Sequence, residues 1–225
     1  RGRVARGGSV HAVSATARLG VSVAAGPQRR IGVFGGAFDP PHIAHVALAK
    51  AALEQLQLDE LRIIPTGEAW HKTRSLTPAV HRLEMARLAF AGLDRVVVDP
   101  RETRRNGPSY TVDTLLELQA EFPEAQLFLV LGEDQAKALA TWHRWREIPG
   151  LAIICVAARA DCAGAFGALD TLISEVPGLQ QLKMPPIEVS ATEIRQLLAN
   201  RQNVVPLVFE PVARYIDHHH LYQTA

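Results

Sequence analysis

Mostly apolar runs of strand length recur along the chain, separated by longer segments with helical spacing. Ile31-Gly32-Val33-Phe34, Leu61-Arg62-Ile63-Ile64-Pro65, Leu93 to Val98, Gln126 to Leu131 and Leu151 to Ala157 are nearly continuous rather than alternating. That pattern marks strands buried on both faces. Between the first two, Val46, Ala49, Ala52 and Leu53 give a helix from Ile43 to about Leu56 an inward face. Thr77-Pro78 offers an N-cap with proline at N1 for a helix reaching about Phe90. Its apolar positions are Val80, Leu83, Met85, Leu88 and Ala89, with Arg82 and Arg87 expected on the wet side. Asp99 to Asn106 reads as a charged loop, and Ser109 as the cap of a helix beginning near Tyr110 that turns Val112, Leu115, Leu116 and Leu118 inward. Ala136 to Leu139 makes a short helix, and a loose Gly/Ala-rich stretch runs to Gly178. A last short strand falls within Leu182 to Val189, kept to a sheet edge by Pro185-Pro186. Ser190 and Glu193 form a capping-box pattern for a helix to about Asn200, and a final helix spans about Pro211 to His219. Strands alternate with helices from Ile31 to Arg195, so the expected fold class is α/β, a doubly wound Rossmann-like parallel sheet with right-handed crossovers.

Composition adds a size and a charge balance. The chain has 225 residues, 48% hydrophobic and 21% charged, which fits one domain at about 30–225. Residues 1–29 read as an N-terminal extension, open to interpretation as a disordered tail, an upstream translation start or a transit peptide. The first thirty residues hold six arginines and no acid, so leaving them out lowers Lys+Arg from 24 to 18 against 23 acids, a formal −5 with histidine neutral. A polyanion-binding face is therefore not expected, and nucleic acid is not an expected partner. A local pocket for a small phosphate is compatible with this charge. Cys155 and Cys162 fit neither a disulfide framework nor a zinc knuckle, which points to a reducing, cytoplasmic location. No run approaches the roughly 18 apolar residues of a membrane span.

The chemistry concentrates in Ile31 to His45, IGVFGGAFDPPHIAH. A short strand breaks at Gly35-Gly36, where backbone can approach a ligand, and Asp39-Pro40-Pro41 supplies turn chemistry before a helix with His42 and His45 on its first turn. Strand, glycine turn and basic helix start together make a phosphate site. The stretch carries neither the P-loop pattern nor G-x-G-x-x-G. The polar loop Thr66 to Arg74 leaves a strand's carboxyl end, which makes His71 and Lys72 candidates for a phosphate. Asp134, just past Gly132, suits either a ribose contact or the N-cap of the next helix. Arg195 has no capping duty and is available for a phosphate. Pattern alone places Trp142 and Trp145 in the core. His218-His219-His220 reads as a basic cluster at a helix end, and no metal site is expected from it.

The Gly-Gly-Ala-Phe-Asp-Pro-Pro-His-Ile-Ala-His stretch resembles the H-x-G-H type signature of the nucleotidyltransferase superfamily. More narrowly, the chain resembles the bacterial nicotinate-nucleotide adenylyltransferases through His71-Lys72, Arg101 to Leu115, Gly132-Glu133-Asp134 with Thr141-Trp142, Val189 to Arg195, and the ending Tyr215-Ile216 to Leu221-Tyr222. The resemblance spans about Arg30 to Tyr222. It implies a nucleotidyltransferase-type fold and transfer of the adenylyl group of ATP to nicotinate mononucleotide, giving deamido-NAD and pyrophosphate, with Mg²⁺ carried on the ATP.

By this resemblance His42, His45 and Arg195 are the catalytic residues. Gly35, Gly36, Phe38, Gly132, Asp134, Ser190, Thr192 and Arg159 join them around ATP. Gly36, Ala37, His71, Lys72, Tyr110, Thr111 and Trp142 hold the mononucleotide, with Trp142 stacked on the pyridine ring. Two positions depart from the family pattern. Ala44 stands where the motif has glycine, and Arg159 is followed by Ala160-Asp161 rather than Pro-Gly. The alternatives are another mononucleotide or pantetheine-phosphate adenylyltransferase, and a non-catalytic nucleotide-binding module. SYTVDTL and Trp142 weigh against the first, and the joint presence of both histidines, Lys72 and Arg195 weighs against the second.

Overall fold

The first apolar run becomes a central strand because it is apolar toward both sides. In the computed structural model, which describes residues 28–67, 76–159, 176 and 178–223, β1 (Arg30–Gly36) leads through α1 (Ile43–Gln55) to β2 (Glu60–Pro65), and through α2 (Ala79–Phe90) to β3 (Val96–Val98). The chain then passes α3 (Arg101–Arg104) and α4 (Thr111–Glu121) to reach β4 (Gln126–Leu131). Next come α5 (Glu133–Ala138), two short 3-10 turns, α6 (Ile148–Leu151), β5 (Ile153–Arg159), β6 (Gln180–Met184), α7 (Ala191–Ala199) and α8 (Glu210–His218). The strands form one sheet in the order β3-β2-β1-β4-β5-β6, every pair parallel.

Successive strand residues feed opposite cores, as the period of two requires. Phe34, Ile63, Phe128, Val130 and Cys155 face one core with residues of α1, α2, α7 and α8. Ile31, Val33, Leu129, Ile154 and Val156 face the other with residues of α4, α5 and α6. The sheet is thus doubly wound. Burial pushes the Cys155 thiol up to about 12, so this cysteine is a packing residue. Cys162 and the N-terminal extension lie outside the described residues.

Several local expectations change. Asp99 to Asn106 is not all loop, since Arg101–Arg104 forms a helical turn. Tyr110, not Ser109, occupies the N-cap of α4. The Ser109 hydroxyl is buried and donates to the Glu102 carbonyl at 3.4 Å. Val80 and Leu116 are exposed rather than inward. The third and fifth strands start later than the apolar pattern implies, because Asp94 and Arg95 form a turn before β3 and Leu151 ends α6.

Arg82 is the largest correction, because it is 2% exposed rather than wet. Its Nε donates to the Thr77 carbonyl at 2.7 Å, and Nη1 donates to Thr66 at 2.6 Å and Ala37 at 3.2 Å. One guanidinium thereby fixes the segments leaving β1 and β2 to the start of α2. Helical periodicity places a residue on a face but cannot foresee carbonyls converging there from two loops. Arg82→Leu should lower unfolding free energy by about 3–5 kcal/mol, because those carbonyls lose a buried charged donor. Urea unfolding checks this, and a loss under about 1 kcal/mol would show that water replaces the guanidinium.

Candidate active site

The strand order puts a switch point between β1 and β4, since the chain builds outward through β2 and β3 and then returns to β1's other side. Open α/β sheets bind ligands at the carboxyl ends of strands at such a point. A cavity of about 790 Å³ opens there, lined by Gly35 and Gly36 from β1 and by Gly132 just after β4. A Cβ added to Gly35 would meet only the Ile64 carbonyl oxygen at 4.0 Å, so the space above that backbone belongs to the cavity.

His42 is the N-cap of α1, with extended backbone, and its N–H donates to Nδ1 of His45 at 3.2 Å. An Nδ1 that accepts this bond leaves the His45 ring proton on Nε2. The two imidazoles stack with centroids 3.7 Å apart, and the Phe38 ring meets the His45 ring edge-on at 5.1 Å. His42 is 7% exposed, its Nδ1 is buried without a hydrogen bond, and burial lowers its pKa to about 4. The helix start expected to be basic therefore holds a neutral His42 near pH 7.

The buried imidazole has a measurable consequence for stability. Between pH 6.5 and about 4 the unfolded chain takes up a proton at this histidine and the folded chain does not. Stability from this group is therefore lost as pH falls through that window, by about 3 kcal/mol in all. His42→Gln should flatten the stability curve there by that amount. Unfolding curves of equal slope for both proteins would contradict the assignment.

Other elements close the cavity. The α7 N-terminus contributes Ser190, Thr192 and Arg195. Ser190 Oγ accepts from the Glu193 N–H at 3.1 Å, the first half of the expected capping box. Arg195 does not hang loose, because it donates to the Asp39 carbonyl at 2.7 Å and to Thr192 Oγ1 at 3.0 Å. Gly132 is the N-cap of α5, so Asp134 is the second residue of that helix, exposed at the cavity edge.

Across the cavity stand Tyr110 and Thr111 at the start of α4, with Trp142 half-buried beyond the turn after α5. Behind them Glu102 is buried. Burial raises its carboxyl above the ordinary range, while the Thr114 hydroxyl donates to it at 2.7 Å.

One cavity thus gathers His42 and His45 with Gly35, Gly36, Ala37 and Phe38, Tyr110 and Thr111, Gly132 and Asp134, Trp142, and Ser190, Thr192 and Arg195. Ala44 is in the lining too. Phe38 is 1% exposed, which leaves its backbone rather than its ring for a nucleotide. His71 and Lys72 lie outside the described residues, as does the side chain of Arg159, whose backbone ends β5. Sequence reasoning did not assign His143 to the site, although its ring stacks on Tyr110 with centroids 4.2 Å apart and it lines the cavity. The WHRW cluster held the signal, but tryptophan dominated its reading. Asp39 also went unassigned beyond turn chemistry, yet it is buried in the cavity wall.

Sheet order, switch-point cavity and paired histidines define a nucleotidyltransferase, and the model of the family described as cytidylyltransferase-like matches residues 33–197. A protein of Albidiferax ferrireducens named "Probable nicotinate-nucleotide adenylyltransferase" is 64% identical, the match covering 88% of this chain and all of that protein. One of the same name from Methylibium petroleiphilum is 47% identical, covering 88% of this chain and 94% of its own. The solved Plasmodium falciparum nicotinic acid mononucleotide adenylyltransferase complexed with NaAD superposes with a TM-score of 0.72 over 86% of this chain and 97% of its own, at 19% identity. The chain belongs to the nicotinate-nucleotide adenylyltransferase family.

Proposed function

We propose that this protein transfers the adenylyl group of ATP to nicotinate mononucleotide, forming nicotinic acid adenine dinucleotide and pyrophosphate. Family membership across 88% of the chain at 64% identity supports the reaction. The single structural observation that carries it is the two-sided cavity, with histidines and Arg195 on one wall and Tyr110, Thr111 and Trp142 on the other. A phosphate oxygen of the mononucleotide attacks the α-phosphorus of ATP, the bond from that phosphorus to the bridging oxygen breaks, and pyrophosphate departs with the bond's electrons. Such a transfer needs positioning and charge stabilisation more than it needs a protein nucleophile.

On this reading Gly35 and Gly36 let the α-phosphate approach, His45 donates from Nε2 to a phosphate oxygen, and the His42 imidazole meets the polyphosphate beside it. Thr192 and Arg195 meet the departing pyrophosphate at the N-terminus of α7, and Asp134 meets the ribose. Ser190 and Gly132 shape the same wall as helix caps. Arg159 is assigned to ATP, and His71 and Lys72 to the mononucleotide, from their sequence positions. The first N–H groups of α4, beside Tyr110 and Thr111, suit a carboxylate and disfavour an amide, whose own N–H would face them. Among the described residues no group of three or more His, Cys, Asp or Glu is placed to hold a metal. Mg²⁺ is assigned to the ATP substrate, bound through its phosphates and waters. No helix among the described residues is long and apolar enough to cross a membrane. A cytoplasmic location and small-molecule substrates alone complete the reading.

Incubation with Mg-ATP and nicotinate mononucleotide, followed by chromatography, should yield the dinucleotide, and its absence would overturn the reading. Trp142→Ala should raise KM for the mononucleotide about tenfold or more with little change in KM for ATP, on the scale of a lost aromatic stack. An unchanged KM would return Trp142 to the core.

A further inference from the structure

Tyr222 is distant in sequence from the phosphate-binding motif, yet its hydroxyl donates to Oδ1 of Asp39 at 2.6 Å. Asp39 is buried in the turn between β1 and α1, three residues before His42. Its Oδ2 accepts the Thr77 N–H at 3.3 Å, and its backbone carbonyl accepts the Arg195 guanidinium at 2.7 Å. One residue thus joins the segment after α8, the entry to α2 and the arginine of the cavity wall.

A Schellman cap ends α8: His220, at φ 51°, takes the left-handed position, with its N–H bonded to the Asp217 carbonyl at 3.1 Å. Tyr222 is left-handed as well, at φ 65°. The helix itself is secured elsewhere. Val212 and Ile216 are in the core, the Leu221 N–H reaches the Ile216 carbonyl at 3.0 Å, and the Tyr215 hydroxyl lies 2.9 Å from Nδ1 of His81. The Tyr222 hydroxyl also lies 3.9 Å from the Met85 sulfur and bonds the Thr77 side chain, but its short bond is the one to Asp39. Burial, and then the Asp39 carboxylate, push the phenol's pKa well up, which keeps it a donor.

We infer that Tyr222 is a positioning residue for the ATP side of the site: it holds Asp39 so that the Asp39 carbonyl aims Arg195 at the departing pyrophosphate. This rests on the adenylyl-transfer reading. It assigns the segment after α8 a part in catalysis that no contact with substrate would reveal. The hydroxyl acts through two intermediaries, so its removal should alter the arginine's placement while leaving the mononucleotide wall intact.

Tyr222→Phe keeps the ring and removes the bond. It should lower kcat about tenfold, the scale of one charge-assisted hydrogen bond, while KM for the mononucleotide stays within about twofold. In an Arg195→Lys background the same substitution should cost less than about twofold, because the two changes disrupt one contact. Calorimetric titration with Mg-pyrophosphate reads that contact without turnover, and should show about tenfold weaker binding to Tyr222→Phe than to the unmodified protein. Unchanged kcat and pyrophosphate affinity would overturn the inference. So would a full tenfold loss in the Arg195→Lys background, or equal losses for both substrates accompanied by a lowered melting temperature. An unmodified protein that binds pyrophosphate but forms no dinucleotide would instead overturn the adenylyl-transfer reading, and the titration would still decide the role of Tyr222.

Discussion

His45→Ala should lower kcat by roughly 10²- to 10³-fold with both substrates saturating, the effect of removing one transition-state donor from a dry site. The size follows from the ring's environment. Its Nδ1 is occupied by the His42 N–H at 3.2 Å, so its single proton is on Nε2. Phe38 packs edge-on at 5.1 Å and His42 stacks at 3.7 Å, which hold the imidazole in one orientation. Alanine removes both the donor and the partner of the His42 backbone. His45→Asn separates these losses, since its side-chain oxygen can accept the His42 N–H without restoring the imidazole donor. If His45→Asn remains as slow as His45→Ala, the transition-state contact is what matters; a near-normal rate in His45→Ala would remove the histidine from the mechanism.

Arg195→Ala should cost a comparable factor, about 10²- to 10³-fold in kcat, and should abolish measurable Mg-pyrophosphate binding. The guanidinium spans the Asp39 carbonyl and Thr192 Oγ1, at 2.7 and 3.0 Å. These two bonds within the chain orient it toward the cavity. Lysine would keep the charge but lose the planar fork, so Arg195→Lys should recover only part of the rate. Stopped-time assays of the forward reaction and of dinucleotide cleavage by pyrophosphate would show the loss in both directions. Retention of pyrophosphate affinity in Arg195→Ala would place the leaving group elsewhere.

Much of this arrangement was legible from residue pattern, because nearly continuous apolar runs alternating with helical segments have few solutions other than a doubly wound sheet. The motif residues from Gly35 to His45 were legible for a related reason: glycines, turn residues and histidines at a strand-to-helix junction leave narrow chemical options. Arg82 was not legible, since its burial depends on carbonyls supplied by Ala37, Thr66 and Thr77 from separate segments. Nor was the neutrality of His42, which depends on burial by the assembled wall rather than on its neighbours in sequence. Asp39 and Tyr222 lie 183 positions apart, and only the fold brings their side chains together. Ser109 misled for a local reason: serine before a helical run is a favoured cap, but its hydroxyl is taken by the Glu102 carbonyl.

The most direct test is the rate of pyrophosphate release with Mg-ATP and either nicotinate mononucleotide or its amide. The account predicts efficient release with the acid and a kcat/KM at least about tenfold lower with the amide, the least expected when site donors meet an N–H instead of a carboxylate. Equal values for the two, or no release with the acid, would contradict it.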